Sequence, residues 1–225
     1  MSDSGAAPGY LDEVYAERFS DAEAAAKDGL WREIVRYLGR WIPADGAVLD
    51  LACDRGHFIR HVKARERWAT DLRDMSADVG PGIRFVQADG LKLLDHLPRD
   101  HFDVLFMSNY LEHLPSAEAV TTQLTVAGQL LRPGGRMIIL QPNIRLIGGA
   151  YWDFIDHKVP LTDRSLREAA DIAGLRTERV IVRFLPYTTK GRLGIRPWLV
   201  RAYLALPLAW RLLGQQTLFI GQRPE

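Results

Sequence analysis

The sequence contains very little cysteine and almost no excess of charge of either sign. A single cysteine among 225 residues leaves no partner for an internal disulfide and excludes a Cys-based zinc cage. Lysine and arginine together number 29 and aspartate and glutamate 28, so the net charge is close to zero. A general nucleic-acid binder usually carries a strong basic excess, so we expect no nucleic-acid partner.

The sequence also lacks a long apolar run and a recognisable secretory signal. Its first residues, MSDSGAAPGYLDE, do not place a basic region before an apolar stretch. No run of about 18 apolar residues is free of charge, so a membrane-spanning helix is not expected. The composition, 47% hydrophobic and 25% charged, is ordinary for a soluble globular protein, and a cytoplasmic location is the expectation.

The balanced charge conceals an uneven distribution along the chain. Residues 1–30 contain seven acidic and two basic residues, whereas residues 179–224 contain eight basic residues and no acidic one. Such polarity can guide a partner or a membrane surface, and two differently solvated faces would produce it equally well. Both interpretations stay open at this point.

Short apolar runs alternate with helical patterns from residue 47 onward. Seven runs are typical of strands: 47–51, 67–71, 83–89, 102–109, 136–143, 176–185 and 216–223. Helices are predicted over 10–39, 57–65, 116–131 and 163–173. The alternation predicts an α/β fold, with a parallel sheet covered by helices on both faces. We divide the chain into an N-terminal helical segment or lid, 1–45, and a single globular unit, 46–225, in which 186–214 is an insertion before the last strand.

Carboxylates stand at the ends of the first three predicted strands. Ligands bind at that edge of a parallel sheet, near the point where the strand order reverses. Asp50 opens the turn after the first strand, Asp71 ends the second and Asp89 follows the third. A lone Asp there is more often a helix cap or a turn former. Carboxylates at the ends of three successive strands are typical of a nucleoside site, because they accept hydrogen bonds from ribose hydroxyls and from the exocyclic amine of adenine.

The chain resembles the class I S-adenosylmethionine-dependent methyltransferases, of a bacterial small-molecule or saccharide type. The matching segments are AVLDLACDRGHF, WATDL, FVQADG, FDVLFMSNYLEHL and LLRPGGRMIILQPN, in the family's order and spacing over about residues 10–185. The resemblance implies a Rossmann-like, mostly parallel sheet of seven strands, an N-terminal helical lid and S-adenosyl-L-methionine as the cofactor. It also implies that Asp50 to Gly56 wrap the methionine end of the cofactor, that Asp71 binds the ribose and that Asp89 reaches the adenine amine.

The residues that this resemblance assigns to the cofactor lie at four strand ends and in the lid. They are Asp50, Ala52, Cys53, Asp54, Gly56, Asp71, Leu72, Ala88, Asp89, Gly90, Ser108 and Asn109, together with Tyr15 and Arg18. The family's first turn usually reads acid-x-Gly-x-Gly-x-Gly, and Ala52 and Asp54 stand where its first two glycines would be. Asp tolerates left-handed geometry better than most residues. Its carboxylate could face the cofactor's ammonium or repel its carboxylate.

Two histidines are the candidates for catalysis. A hydroxyl acceptor benefits from a base, and imidazole titrates near neutral pH. His113 lies where the family often places a useful histidine, and His157 lies in YWDFIDHKVPLTDRSL, a segment over the active-site mouth in many relatives. Each could instead only cap a helix or pack against its neighbours.

Four further residues are candidates for binding the acceptor: Tyr110, Asn143, Tyr151 and Trp152. The aromatic residues around Trp152 suit a sugar ring or a lipid, and a small core under a loop is the other interpretation. The pairs Glu112–His113 and Asp156–His157 are insufficient ligand sets for magnesium, which prefers carboxylate oxygens, so no metal is expected.

The insertion contains a basic and apolar stretch. Of the 17 residues in 197–213, 13 are apolar, and Pro207 predicts a kink or an end of a helix there. A Trp- and Leu-rich basic helix suits a membrane interface, so peripheral membrane contact through 190–213 is one interpretation. A dimer seam and internal packing are the others, and the protein is expected to be a monomer or a homodimer.

The sequence therefore predicts a methyltransferase acting on oxygen, with nitrogen and carbon as the alternative acceptor atoms. A saccharide, a lipid-linked intermediate or a secondary metabolite would be the acceptor, a small molecule or glycolipid in either case. The alternative is a catalytically impaired cofactor-fold protein that serves in binding or assembly, which Asp54 motivates. A nicotinamide-dependent oxidoreductase would need a glycine-rich turn that the chain lacks.

Overall fold

Seven strands form one sheet in the computed structural model, which describes residues 21–187 and 196–225, with side chains from residue 27 onward. The strands are β1 (Ala47–Leu51), β2 (Glu66–Asp71), β3 (Arg84–Gln87), β4 (Phe102–Ser108), β5 (Leu131–Pro142), β6 (Arg176–Leu185) and β7 (Gln216–Gln222). Their order is β3-β2-β1-β4-β5-β7-β6. Only β7 runs antiparallel to its neighbours, β5 and β6. The mostly parallel, Rossmann-like sheet is confirmed.

Helices cover both faces of this sheet. They are α1 (Asp21–Leu38), α2 (Ser76–Val79), α3 (Ala117–Leu130), α4 (Ile144–Ile147), α5 (Asp163–Ile172), α6 (Pro197–Ala205) and α7 (Pro207–Leu213). Ser116 caps α3, and Thr162 caps α5 in a reciprocal capping box with Ser165. None of the helices in the described ranges has the length and apolar character needed to cross a membrane.

The helix predicted over 57–65 is wrong. That segment forms turns and one 3-10 turn, Ile59–His61. Ile59 and Val62 are both buried against the sheet. In a 3-10 turn, residues three apart lie on the same face, so this tighter geometry buries both side chains over a short connection.

Two hydrophobic clusters, one on each face of the sheet, form the core. The first joins the sheet to α3 and α5, for example through Leu124 and Leu166. The second joins it to α1, α6 and α7, for example through Leu38, Leu204 and Trp210. Strands β1 to β4 are parallel, so their carboxyl ends meet at one edge of the sheet between these two faces.

The helices of the insertion are attached to α1 by an ion pair. Glu33 of α1 is 2% exposed, and its carboxylate accepts hydrogen bonds from Nε and Nη2 of Arg201 at 3.0 and 3.1 Å. Arg36 lies 2.6 Å from the same carboxylate. Leu206 separates α6 from α7 directly before Pro207, as the sequence predicts. Residues 190–195 of the insertion and the lid residues before 21 lie outside the described part.

Candidate functional site

The turn after β1 adopts the backbone geometry of a glycine-rich turn. Ala52 and Asp54 have φ values of +55° and +49°, and Gly56 follows at +68°. Left-handed geometry costs a residue with a Cβ about 1–2 kcal/mol, with Asp among the more tolerant. The three positions at which the resembled family has glycine therefore keep left-handed geometry, although only the third is glycine.

A side chain would not fit at Gly56, and a buried acceptor lies nearby at Asp50. A Cβ on Gly56 would lie 3.0 Å from Cα of Val79. Asp50 is 3% exposed, and its Oδ2 accepts no hydrogen bond from the described residues. Burial raises the pKa of Asp50 well above its ordinary value, and nearby carboxylates add to the rise. This oxygen fits a ligand that brings a hydrogen-bond donor into the turn.

Two cations neutralise the carboxylate of Asp54. Arg73 Nη2 lies 3.0 Å from its Oδ1, and Lys27 Nζ lies 3.6 Å from its Oδ2. Burial alone would raise the pKa of Asp54, but Lys27 and Arg73 hold it below the ordinary value, so the group is ionised at neutral pH. Because the charge is engaged within the protein, attraction or repulsion of a cofactor by this side chain is weakened.

The Asp71 carboxylate accepts three hydrogen bonds within the protein and still has one acceptor position for a ligand. Its Oδ1 accepts from the backbone N–H of Arg73 at 3.0 Å and from Arg73 Nε at 3.3 Å, and its Oδ2 accepts from the N–H of Asp54 at 3.0 Å. A carboxylate offers about four acceptor positions, so one remains for a ribose hydroxyl. The neighbouring Leu72 is 54% exposed and offers an apolar surface beside that position.

Asp89 caps the helical turn that follows β3. Its Oδ1 accepts from the N–H of Leu91 at 3.0 Å, so capping is the role of this oxygen. The second oxygen has no hydrogen-bond partner in 21–187 or 196–225, and it is free to meet an adenine amine. Ala88, directly before it, is 9% exposed at the same edge.

Gly90 and Tyr110 pack against each other at the end of β3. A Cβ on Gly90 would lie 2.3 Å from Tyr110 Oη and 2.6 Å from Gln123 Oε1. The Tyr110 hydroxyl donates to Gln123 at 2.8 Å, and burial raises the pKa of Tyr110. Gly90 leaves space for these side chains, and the hydroxyl of Tyr110 is engaged within the protein instead of facing an acceptor.

Three smaller side chains stand at the ends of β4 and β1. Ser108 and Asn109 lie at the end of β4, and Cys53 lies in the turn after β1. Asn109 is exposed with a left-handed φ of +48°, and its Nδ2 donates to Ser108 Oγ at 3.0 Å. Cys53 is 7% exposed, and its thiol lies 3.4 Å from the carbonyl of Asp54. Burial raises the pKa of the Cys53 thiol, so the group is protonated and contributes by packing.

A group of buried polar side chains follows β4, with Glu112 at its centre. The carboxylate is fully buried: Oε2 accepts from Gln141 Nε2 at 3.0 Å, and Oε1 accepts no hydrogen bond from the described residues. Nε2 of His113 lies 3.9 Å from Oε1 and Nε2 of His157 lies 4.0 Å from it. We refer to Glu112, His113 and His157 as the Glu-His-His cluster.

Asp156 orients His113 within this cluster. Nδ1 of His113 lies 3.1 Å from the backbone oxygen of Asp156 and 3.3 Å from its Oδ2. A proton on Nδ1 donates to these oxygens, which leaves the lone pair of Nε2 on the side of Glu112. The His113 side chain is 23% exposed, so a ligand can reach it.

His157 is the inner histidine. Its side chain is 5% exposed, with its ring centroid 4.7 Å from that of Tyr151, 5.3 Å from that of Phe154 and 5.1 Å from that of His113. Burial lowers the pKa of His157, and the Glu112 carboxylate opposes that effect. The ring is therefore neutral at pH 7, with its nitrogens able to act as donor and acceptor.

Two predicted acceptor-binding residues are structural. Asn143 is fully buried, its Nδ2 donates to Asp163 Oδ1 at 2.8 Å and to Thr217 Oγ1 at 3.1 Å, and its Oδ1 caps α4. Tyr151 is fully buried and donates to the Val159 carbonyl at 2.5 Å. Both predictions are wrong, because these side chains have no surface for a ligand. Trp152 is 51% exposed and stays a candidate.

Sequence reasoning missed the partners that organise these sites. Arg73 and Lys27 neutralise Asp54, while Asp156 and Gln141 hold the Glu-His-His cluster. The signal for the cluster was present in two acid–histidine pairs, EH after β4 and DH in the later segment. The lid candidates Tyr15 and Arg18 lie outside the described residues.

Comparison with known proteins points to one class. A family model described as a methyltransferase domain matches residues 23–180, which is more than half of the chain. An S-adenosylmethionine-dependent methyltransferase from Archaeoglobus fulgidus has a similar structure, with 18% identity, a TM-score of 0.62 and coverage of 87% of this chain and 94% of that chain. One from Mesorhizobium loti has 22% identity, a TM-score of 0.59 and coverage of 83% and 95%.

A further similar structure is that of the cyclase SpnF. It has 14% identity and a TM-score of 0.60, with coverage of 86% of this chain and 80% of that chain. At these identities the structural likeness shows the fold alone, and one fold serves more than one chemistry. No curated protein matches the sequence.

Proposed function

The chain belongs to the methyltransferase-domain family of class I fold, and from this premise we propose that it methylates a hydroxyl oxygen of a saccharide, lipid-linked or secondary-metabolite acceptor. S-adenosylmethionine is the cofactor; when bound, it supplies an activated methyl group for the acceptor oxygen and leaves as S-adenosylhomocysteine. The protein's own residues bind and align the two partners and remove the hydroxyl proton.

The residues present fit this cofactor. The open acceptor position of Asp71, the unpaired oxygen of Asp89 and the exposed face of Leu72 suit the ribose, the adenine amine and the adenine ring. The buried Oδ2 of Asp50 suits a donor at the methionine end. The left-handed turn that contains Ala52 leaves its backbone available for close approach by the ligand.

The Glu-His-His cluster is the observation that favours oxygen as the acceptor atom. A hydroxyl must lose its proton during transfer, and a positioned base contributes typically 10²–10⁴-fold. His113 is the exposed member, with its Nε2 lone pair fixed by Asp156, and His157 stands behind it. We assign proton removal to this cluster.

Transfer of labelled methyl groups to hydroxyl-bearing acceptors tests the proposal. Saccharides, polyprenyl-linked saccharides and phenolic metabolites form the acceptor panel, with amine analogues of each as the comparison. His113→Ala should lower turnover about 10²-fold or more with little change in cofactor affinity. His96→Ala, at an exposed histidine outside the cluster, is the matched control. Transfer to amines alone, or full turnover in both His113→Ala and His157→Ala, would contradict oxygen methylation at this cluster.

The alternative of an impaired cofactor-fold protein is less favoured. It rests on Asp54, whose carboxylate is engaged by Lys27 and Arg73 and whose backbone keeps the left-handed turn. Calorimetry with S-adenosylhomocysteine separates the two cases. Micromolar or tighter binding without turnover on any acceptor of the panel would favour the alternative.

We further propose that α6 and α7 contact an anionic membrane surface. Trp198, Leu208 and Leu212 are 62%, 73% and 81% exposed, and Arg196 and Arg211 are exposed among them. Apolar side chains with interleaved arginines are complementary to an anionic bilayer, and a basic residue near such a surface is worth about 1 kcal/mol. A lipid-linked acceptor would then be presented at the same surface.

Co-sedimentation with vesicles tests this contact. Wild-type protein should sediment with anionic vesicles at low salt and less at moderate salt, because screening weakens the electrostatic part. Trp198→Ala combined with Leu212→Ala should abolish sedimentation, whereas Ile172→Ala, at a residue of α5 that is 69% exposed, should not. A concentration-dependent dimer that the double variant breaks, without vesicle binding, would assign the surface to a second copy of the chain.

A further inference from the structure

The Glu-His-His cluster contains a buried carboxylate oxygen for which the described side chains provide no hydrogen-bond donor. Oε1 of Glu112 is buried and accepts no hydrogen bond from residues 21–187 or 196–225, although burying an unpaired carboxylate oxygen is costly. Nε2 of His113 and Nε2 of His157 lie 3.9 and 4.0 Å from this oxygen, beyond hydrogen-bond distance. One oxygen and two ring nitrogens therefore surround a point without bonding to one another.

The three groups are of the types that a divalent transition metal takes as ligands. Their ligand atoms all lie within 4.8 Å of one another. Two histidines and one glutamate bind zinc in sites that keep a further position open for water or substrate. A tetrahedral ion with bonds of about 2.0–2.1 Å holds its ligand atoms about 3.3 Å apart, so the ring nitrogens need to approach Oε1 by about 0.6–0.7 Å and each other by up to about 1.5 Å.

The surroundings support ligand roles for these residues. A metal-bound histidine usually donates its other N–H to a carboxylate or carbonyl, and His113 Nδ1 has both, from Asp156. Glu112 is held in the same way, since Gln141 donates to its second oxygen. The partial exposure of His113 leaves a path from solvent to the centre of the cluster.

We propose that Glu112, His113 and His157 bind a divalent transition-metal ion, zinc being the best fit, and that this ion holds the acceptor hydroxyl. This proposal departs from the expectation of no metal, which weighed only magnesium and only residue pairs. The second clause rests on the proposed methyl transfer to oxygen; the binding of the ion does not. A cation lowers the pKa of a hydroxyl that it touches. Proton removal is still the work of the cluster, but it acts through the ion: the hydroxyl proton leaves to solvent while the two histidines hold the metal.

Metal titration of the purified full-length protein, stripped with a chelator, tests the site. Cobalt(II) serves as the spectroscopic probe and zinc as its competitor. We expect one ion per chain, with visible absorption of low-symmetry cobalt that equimolar zinc removes. Glu112→Gln and His157→Gln should each weaken binding at least 100-fold, and Asp156→Asn about 10- to 100-fold. His96→Gln should leave binding unchanged.

Folding and chemistry are read out separately. Thermal unfolding of each variant without metal identifies any that fail to fold, and Asp156→Asn supplies a test if a cluster variant does. No binding by the wild type, or equal binding by all variants, would overturn the site; a bridging water would then be its occupant. Binding by the wild type with full methyl transfer after stripping would overturn the role of the ion. Metal binding in a protein with no transfer activity would leave the site standing and contradict the proposed function instead.

Discussion

Replacing Asp71 by alanine tests the nucleoside site through the cofactor's ribose. The carboxylate already accepts three hydrogen bonds from Arg73 and Asp54, which leaves one acceptor position for a ribose hydroxyl. A hydrogen bond to a charged group is worth about 1.5–3 kcal/mol. Asp71→Ala should therefore weaken S-adenosylhomocysteine binding about 10- to 150-fold, with a larger loss only if a second hydroxyl displaces Arg73 Nε.

The matched control is Arg73→Ala. It removes the side-chain contacts of Arg73 to Asp71 and Asp54 but keeps the Asp71 carboxylate and its two backbone hydrogen bonds, so affinity should change by less than about 10-fold. Isothermal calorimetry gives both affinities, and thermal unfolding checks that each variant is folded. Equal losses in the two variants would refute ribose binding by Asp71, because they would show that the carboxylate acts only by holding the turn.

Three further predictions concern stability. Ala52→Gly should raise the free energy of unfolding by about 1 kcal/mol by relieving a left-handed φ, whereas Gly56→Ala should lower it; denaturant titration that shows no gain would contradict the strain. The hydrogen bond from Arg201 lowers the pKa of Glu33, so the unfolded chain binds more protons. The pair's contribution should be complete above pH 4.5 and lost as pH falls through the lowered pKa of Glu33, and Arg201→Ala should lower the free energy of unfolding at pH 7 but hardly at pH 3, measured by urea unfolding. Burial lowers the pKa of His57 to about 4, so stability should fall as pH drops from about 6.5 to 4, and His57→Gln should flatten that slope.

The strands and the edge that holds the site could be predicted from the sequence, because period and strand-end carboxylates are local signals. Asp71 and Asp89 lie at that edge as expected. The predicted roles of Asn143 and Tyr151 failed because burial within a connection depends on what the distant segments place over it. The sequence around Asn143 does not indicate that Thr217, 74 positions away, accepts a hydrogen bond from the Asn143 side chain.

The partners within the Glu-His-His cluster also could not be predicted from the sequence. His113 and His157 are 44 positions apart, and each histidine has its own adjacent acid in the sequence. The structure exchanges these partners, since Asp156 orients His113 while Glu112 faces both rings. Sequence spacing proposes pairs along the chain, whereas the fold decides which pairs share a space.

The position of β7 sets an order of assembly during synthesis. The ribosome makes β6 before β7, yet β6 bonds to the sheet only through β7, which lies between β5 and β6. Until residues 216–222 have emerged, β5 has an open edge and β6 has no strand to pair with. Unpaired edges of this kind recruit other chains. The nascent protein is therefore most vulnerable to aggregation over a short interval, which closes when one late strand completes two pairings at once.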